Sequence, residues 1–361
     1  MPSRRALARL RPLLWPVSMF YWALSWWRNV FYNIGFFITR RVSVPVLSVG
    51  NVSLGGTGKT PATLFIAQHL LHLGYRVGIV SRGYGRLSSG HRLVSDGRGH
   101  LASPEDSGDE PQLLARRLPQ VPIVVDEDRY RGTVELIKQF QPEVVILDDA
   151  FQHRGLARDL DIVLLDANAT LSDYRIFPSG ALRESLAALK RADLVVWTRV
   201  NLRPPPQELR ERVAGMGIPQ IQSHMQVGGQ LVAVGGGEAV SPEELPGEGV
   251  LAFCGIADPH GFYGALMSLG LEPESVRYYP DHHRYSEEDL ADLSELTEDD
   301  RLVVITTEKD AVKLTPEFVA AHRVYAVRIE FILAGPDLEA FEALLARHLP
   351  LPQASLAAGE A

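Results

Sequence analysis

From about residue 44, short runs of aliphatic and β-branched residues alternate with longer stretches whose apolar positions recur at helical spacing. This is the pattern of a parallel sheet covered on both faces. Runs at 46–49, 77–80, 121–125, 144–147, 162–165 and 194–197 predict six strands of one α/β domain. The alternation fails around Pro204-Pro205-Pro206. Gly228-Gly229, Gly235-Gly236-Gly237 and a Pro/Glu-rich stretch then read as connecting ribbon or loop. Further strands near 250–253, 276–279, 302–306 and 324–329 predict a second, smaller α/β unit. The expected division is a head at 1–40, a first domain at 41–205, a linker or ribbon at 206–245, a smaller domain at 246–350 and a frayed tail at 351–361.

The head follows a different pattern. Read as a helix from about Pro16, it places Ser18, Tyr21, Ser25, Arg28, Asn29 and Tyr32 on one stripe, with Met19, Phe20, Ala23, Leu24, Trp27, Val30, Phe31 and Ile34 on the other face. Four of the five tryptophans (Trp15, Trp22, Trp26, Trp27) fall here, and such rings favour the headgroup level of a bilayer. The uninterrupted apolar run, residues 13–27, is shorter than the ~20 residues needed to span. An interfacial helix, a helix packed on the body and a true span all remain open, with the interfacial helix best matched to the pattern.

Charge sharpens this division. Residues 1–41 hold seven arginines and no acid, so the formal charge of −8 conceals a remainder with 29 basic against 44 acidic residues, a net −15. An acidic body argues against nucleic acid as a partner, and the basic aromatic head suits an anionic membrane surface. The single cysteine, Cys254, excludes an intrachain disulfide and any multi-cysteine metal site.

The chemistry begins at Ser53-Leu54-Gly55-Gly56-Thr57-Gly58-Lys59-Thr60, which follows an apolar strand and opens a helical run at 63–71. Glycines let backbone N–H groups turn toward a phosphate, and the helix N-terminus faces the same charge. Gly55, Gly56, Thr57, Gly58, Lys59 and Thr60 are therefore candidate nucleotide-binding residues, with Lys59 on the β/γ-phosphates and Thr60 on Mg2+. Ser53 stands where the usual pattern has glycine, a departure that the strand-loop-helix setting offsets. Asp148 and Asp149 end the run at 144–147, where adjacent carboxylates at a strand tip can hold Mg2+ directly and through water.

Taken with Ser81-Arg82-Gly83-Tyr84-Gly85, Gly108-Asp109-Glu110-Pro111, Asp148-Asp149-Ala150-Phe151-Gln152-His153, Pro178-Ser179-Gly180-Ala181-Leu182-Arg183-Glu184, Asp281-His282 and Thr307-Glu308-Lys309-Asp310-Ala311-Val312-Lys313, the sequence resembles the tetraacyldisaccharide 4'-kinase family from the head to about Leu349. The resemblance implies a P-loop NTPase-like kinase domain, a smaller α/β domain and an N-terminal membrane helix. It also implies an enzyme on the cytoplasmic face of the bacterial inner membrane. That enzyme would move the γ-phosphate of ATP, with Mg2+, to the 4'-hydroxyl of a tetraacylated diglucosamine 1-phosphate, a glycolipid of lipid A synthesis.

By motif, Asp109 would be the catalytic carboxylate, His282 its helper, Asp148 and Asp149 the metal-side acids, and Arg82, Tyr84, Gln152, Arg183 and Glu184 substrate-lining groups. Asp109 is expected in a loop, and its meeting with His282 only on domain closure around both substrates. Without the family, the 81–85 segment is equally a flexible turn, Asp281-His282 a solvated loop and Glu308-Lys309-Asp310 a charge cluster at a helix start. A membrane-held nucleotide switch acting through protein partners is the rival. Against it, Leu54 replaces the second lysine of partitioning ATPases, and Lys309-Asp310 lacks the guanine-reading spacing. No obligate protein partner is inferred.

Overall fold

The structure, a computed structural model, describes residues 4–99, 102–236, 238–247, 249–297 and 301–353, with side chains from residue 14 onward. The side chains of Arg4, Arg5, Arg9 and Arg11, and residues 354–361 of the expected tail, lie outside the described part.

Eight strands build the first sheet: β1 (Val46–Asn51), β2 (Val77–Ser81), β3 (Arg92–Asp96), β4 (Pro122–Val125), β5 (Val144–Asp148), β6 (Leu160–Asp166), β7 (Leu194–Thr198) and β8 (Gln220–Gln222). Their order is β3-β4-β2-β5-β1-β6-β7-β8. All pairings are parallel except that of β3 with β4 at one edge. The central strands are buried on both faces, as continuous apolar runs in a parallel sheet require. Leu47 and Val49 of β1 face α2 (Lys59–His72) and α4 (Asp109–Arg117), while Val46 points to the opposite layer with α5 (Arg129–Phe140). The short α3 (Pro104–Ser107) precedes α4, and α6 (Gln207–Ala214) covers β7 with Leu209 and Val213.

The second sheet contains β9 (His224–Ala233), β10 (Ala239–Val240), β11 (Gly249–Cys254), β12 (Ser275–Tyr278), β13 (Leu302–Thr307) and β14 (Val324–Ile332). Its order is β10-β9-β14-β13-β11-β12. The helices α7 (Pro259–Ser268), α8 (Glu287–Glu295), α9 (Glu308–Ala311) and α10 (Pro316–Ala321) connect its strands. Residues 206–245 thus carry α6 and β8 of the first sheet and β9 and β10 of the second. The antiparallel β9/β14 ribbon brings Met225 and Phe331 into the core of the first sheet. The final helix, α11 (Pro336–His348), follows the second sheet in sequence but packs Phe341 and Leu345 into that same first core.

The head forms α1 (Arg4–Asn33), so it starts well before the expected Pro16, which lies inside the helix. Its polar stripe faces the protein. Ser18 Oγ lies 2.6 Å from Ser179 Oγ, Tyr21 packs edge-on to Phe177, and the Arg154 guanidinium covers the Tyr32 ring and donates to Asn33 Oδ1. The apolar face points outward, with Trp15 61%, Phe20 67% and Leu24 55% exposed. Among the described residues, no helix is long and apolar enough to cross a membrane.

Candidate active site

The loop after β1 turns through left-handed backbone at Gly55 (φ 106°) and Gly58 (φ 85°), where a Cβ would strain the chain. Neighbouring elements hold it in place. Asn51 Nδ2 donates to Thr57 Oγ1 at 2.9 Å, Arg199 Nη2 to the Gly56 carbonyl at 2.7 Å and Thr198 Oγ1 to the Thr57 carbonyl at 3.0 Å. No side chain caps the start of α2, so its first N–H groups suit an anion. Lys59 opens this helix, Thr60 follows it, and Lys59 Nζ lies 3.7 Å from Asp149 Oδ1.

Asp148 and Asp149 leave β5 into two different environments. Asp148 is buried and accepts from Thr63 Oγ1 at 3.1 Å and Ser81 Oγ at 3.0 Å. Burial, reinforced by Glu110 and Asp149 and opposed by Lys59, raises its carboxyl pKa to about 7. Asp149 adopts left-handed backbone (φ 47°), which turns its carboxylate toward Lys59 and toward Arg183, whose Nη1 donates to Oδ2 at 3.1 Å and to Oδ1 at 3.2 Å. Burial pushes this group up, but Lys59 and Arg183 together outweigh it and hold its pKa below the ordinary value. Gly50 lets the two strand ends approach, since a Cβ there would stand 2.7 Å from Phe151 Cβ. Gln152 then ties the turn to β1, donating from Nε2 to the Asn51 carbonyl at 2.8 Å.

Asp109 is not in a loop as expected: it is the first residue of α4. Gly108, at φ 88°, separates α3 from α4, and the acids Asp109 and Glu110 suit the positive start of the new helix. A Cβ on Gly108 would meet the Tyr84 carbonyl at 2.8 Å, so this glycine seats the 81–85 loop beside Asp109.

Across the seam between the two sheets, His282 Nδ1 lies 3.1 Å from Asp109 Oδ2. The pair is thus in direct contact across the seam. His282 has left-handed backbone (φ 59°) and its ring packs edge-on to Tyr84 at 5.3 Å. Its other nitrogen, Nε2, lies 3.1 Å from Lys309 Nζ. An ammonium can only donate, so Nε2 accepts and the ring proton sits on Nδ1, facing Asp109.

Lys309 belongs to α9, which Thr307 caps by accepting from Asp310 N. The expected charge cluster at a helix start is thus present, and it also reaches the dyad. Lys309 lies 3.6 Å from Glu110 and 3.8 Å from Asp281. Lys313 stands 3.9 Å from Asp109 Oδ2 and 2.6 Å from the buried Asp310. In the sequence Lys309 and Lys313 stood only in the family motif 307–313, with a helix-start reading for Lys309, because Asp109 and Glu110 lie far away along the chain.

The sequence candidates fall into two groups and an outlier. Lys59, Asp149 and Arg183 meet directly, with Gly55, Gly56, Thr57, Gly58, Thr60, Asp148 and Gln152 around them. Asp109, His282 and Tyr84 meet at the seam, beside the exposed Arg82. Glu110 links the groups, as it contacts Lys309 and raises the pKa of Asp148. Glu184, expected to line the substrate site, is instead only 1% exposed and binds Arg28, Asn29 and Arg191 at 2.8–2.9 Å.

The family model described as tetraacyldisaccharide-1-P 4'-kinase matches residues 10–350. The tetraacyldisaccharide 4'-kinase of Pelobacter propionicus is 40% identical over 340 residues, covering 92% of each chain. That of Chlorobium limicola is 38% identical over 311 residues, covering 85% of this chain and 88% of the relative. The crystal structure of the "apo" form of LpxK from Aquifex aeolicus in complex with ATP superimposes with a TM-score of 0.80 at 35% identity, covering 94% of this chain and all of that one. With a kinase-type phosphate loop, paired acids at a strand tip and this match over nearly its whole length, the chain belongs to the tetraacyldisaccharide-1-P 4'-kinase family and is a kinase.

Proposed function

We propose that the protein transfers the γ-phosphate of ATP to the 4'-hydroxyl of a tetraacylated diglucosamine 1-phosphate, a step of lipid A synthesis, with Asp109 as the proton acceptor. The observation that carries this reading is the Asp109–His282 contact, with Asp109 at the start of a helix that shares one core with the helix following the phosphate loop. As the sugar oxygen bonds to the γ-phosphorus, its proton passes to the carboxylate and the bond to the β-phosphate oxygen breaks, leaving ADP. His282 and Lys313 both approach Oδ2 of Asp109, which leaves Oδ1 for the acceptor hydroxyl. His282 orients the carboxylate through its Nδ1 proton, and Lys309 fixes that tautomer. Lys59 offsets charge on the phosphoryl group, while Arg82 and Tyr84 border the acceptor side.

The acids fit a magnesium ion. Among the described residues no three His, Cys, Asp or Glu side chains cluster for a metal; Asp148, Asp149 and the Thr60 hydroxyl are the oxygen donors that would hold such an ion, with the nucleotide and water supplying the rest. Bound there, Mg2+ supplies positive charge to the phosphate oxygens.

The outward face of α1 suits the interface of an anionic membrane, with its rings at the headgroup level and its polar stripe on the body. This supports a peripheral or monotopic enzyme at the cytoplasmic face of the inner membrane, acting on a glycolipid held in that membrane. A nucleotide switch is not favoured, given the family match.

The test is transfer of radiolabel from γ-labelled ATP into a detergent-dispersed disaccharide lipid, with Asp109→Asn as control. Label should appear on the 4'-position and fall to near background in the variant. ATP turnover independent of the lipid, or equal label transfer by the variant, would overturn the assignment.

A further inference from the structure

The polar stripe of α1 does more than contact the body at scattered points. Ser18 and Arg28/Asn29, nearly three helical turns apart, both grip the segment 179–184. Ser179 N donates to Ser18 Oγ at 3.0 Å, while Arg28 and Asn29 donate to the two oxygens of Glu184 at 2.8 and 2.9 Å. Arg191 supplies the third partner of that buried carboxylate at 2.9 Å.

The same segment is stitched to the phosphate loop. Leu54 N donates to the Ala181 carbonyl at 2.6 Å and Arg183 N to the Val52 carbonyl at 2.8 Å, with Ser53 and Leu182 forming an antiparallel bridge. Its next-to-last residue, Arg183, places its guanidinium on Asp149, which also faces Lys59. Arg183 and Glu184 are neighbours in sequence with opposite duties, one reaching into the phosphate site and one reaching out to the head helix.

We propose that α1 is a positioning element of the phosphate site, acting through Arg28 and Asn29 on Glu184 and through Arg183 on Asp149. This rests on the metal-side role given above to Asp149. A buried carboxylate demands partners, because leaving it unpaired in a low-dielectric site is unfavourable. Loss of Arg28 therefore shifts Glu184, and with it the backbone that holds both Arg183 and residues 52–54. The head helix then serves catalysis as well as any attachment to lipid, and the two duties use opposite faces: the polar stripe for the site, the aromatic face for the bilayer. Arg28 and Asn29 are positioning residues and touch neither substrate.

The test uses the full-length enzyme with detergent-dispersed acceptor, so that partition into a bilayer does not limit the rate. Arg28→Ala should lower kcat about 10-fold and raise the Mg2+ concentration for half-maximal rate several-fold, with the KM for ATP changed less than about 3-fold. Arg28→Lys, which keeps a cation beside Glu184, should recover part of both losses. Asn29→Ala, which removes only a neutral partner and is the milder change for folding, should move the same two quantities in the same direction by a smaller factor. Thermal melting checks that each variant is folded. Combined with Arg183→Ala, Arg28→Ala should add little, because both act on one chain of contacts. Unchanged kcat and Mg2+ dependence in folded Arg28→Ala and Asn29→Ala, or losses that multiply in the double variant, overturn the coupling. If Arg183→Ala itself leaves Mg2+ dependence unaltered, the assigned role of Asp149 fails and the coupling falls with it; a normal Arg183→Ala effect beside a silent Arg28→Ala sinks the coupling alone.

Discussion

The phosphate loop and the Asp109–His282 seam are assembled in opposite ways. Residues 55–60 are contiguous, and their geometry follows from glycines, a strand end and a helix start that lie next to one another in the chain. The seam brings together residues 173 positions apart, from α4 of the first sheet and from a loop of the second, with Lys309 arriving from a third element. A local motif survives as long as its own loop folds. A seam exists only as long as two cores are held in register, here by Met225 and Phe331 of the ribbon, by α11 and by the Arg117–Glu308–Arg328 ion pairs. The two regions should therefore fail differently when broken.

The largest expected effect is at the seam. Asp109→Asn should lower kcat by about 10²–10⁴, the range for a lost general base, with the KM for ATP nearly unchanged because the proposed nucleotide site lies in the other region. His282→Ala should act in the same direction, and the double variant should be little worse than Asp109→Asn, since the two act as a unit. Multiplying losses in steady-state kinetics would refute the pairing. Next comes the loop: Lys59→Ala should lower kcat about 10²–10³ and also weaken nucleotide binding, a signature the seam variants lack. Calorimetric titration with ATP separates the two, and unaltered ATP affinity in Lys59→Ala would remove the lysine from the phosphates.

Lys309→Met offers a smaller and sharper probe of the seam. It keeps much of the side-chain bulk but removes the donor at Nε2, so the His282 proton is no longer confined to Nδ1. A loss of about 10-fold in kcat is expected, with the KM for ATP nearly unchanged and no further loss when combined with His282→Ala. Losses that multiply in that double variant would make Lys309 a packing residue only.

The same contrast explains what was legible in the sequence. Every apolar run of 144–147 type became a central strand, because a strand buried on both faces must be apolar throughout. The edge strands β3, Arg-Leu-Val-Ser-Asp, and β8, Gln-Ile-Gln, carry polar residues on a solvated side and leave no such run, so they went unseen. Asp109 read as loop because a helix that restarts after Gly108 has no break in composition. Glu184 read as a site residue because it stands beside Arg183 in the family motif 178–184. Only the fold reveals that the two side chains point to different partners. In α1 the amphipathic stripe was visible, but the start of the helix was not, since Pro16 looked like a first-turn residue and lies inside instead.

The smallest expected effect is a pH dependence of stability that belongs to the phosphate region alone. Burial raises the Asp148 carboxyl to about 7, against roughly 4 for an unfolded aspartate. Between those values the folded protein keeps a proton that the unfolded chain has released. Stability from this group therefore declines as pH rises through that window and levels off above it. In the ligand-free protein, the melting temperature relative to Asp148→Asn should fall by a few degrees between pH 5 and pH 8, because the variant has no proton to lose. Magnesium and nucleotide favour the ionised carboxylate, so adding both should flatten the difference. The seam provides the comparison: Asp109→Asn, assayed in the same buffers, should retain the wild-type decline, since Asp148 and its burial are untouched. A wild-type curve parallel to that of Asp148→Asn across the window would show that Asp148 ionises freely in the folded state.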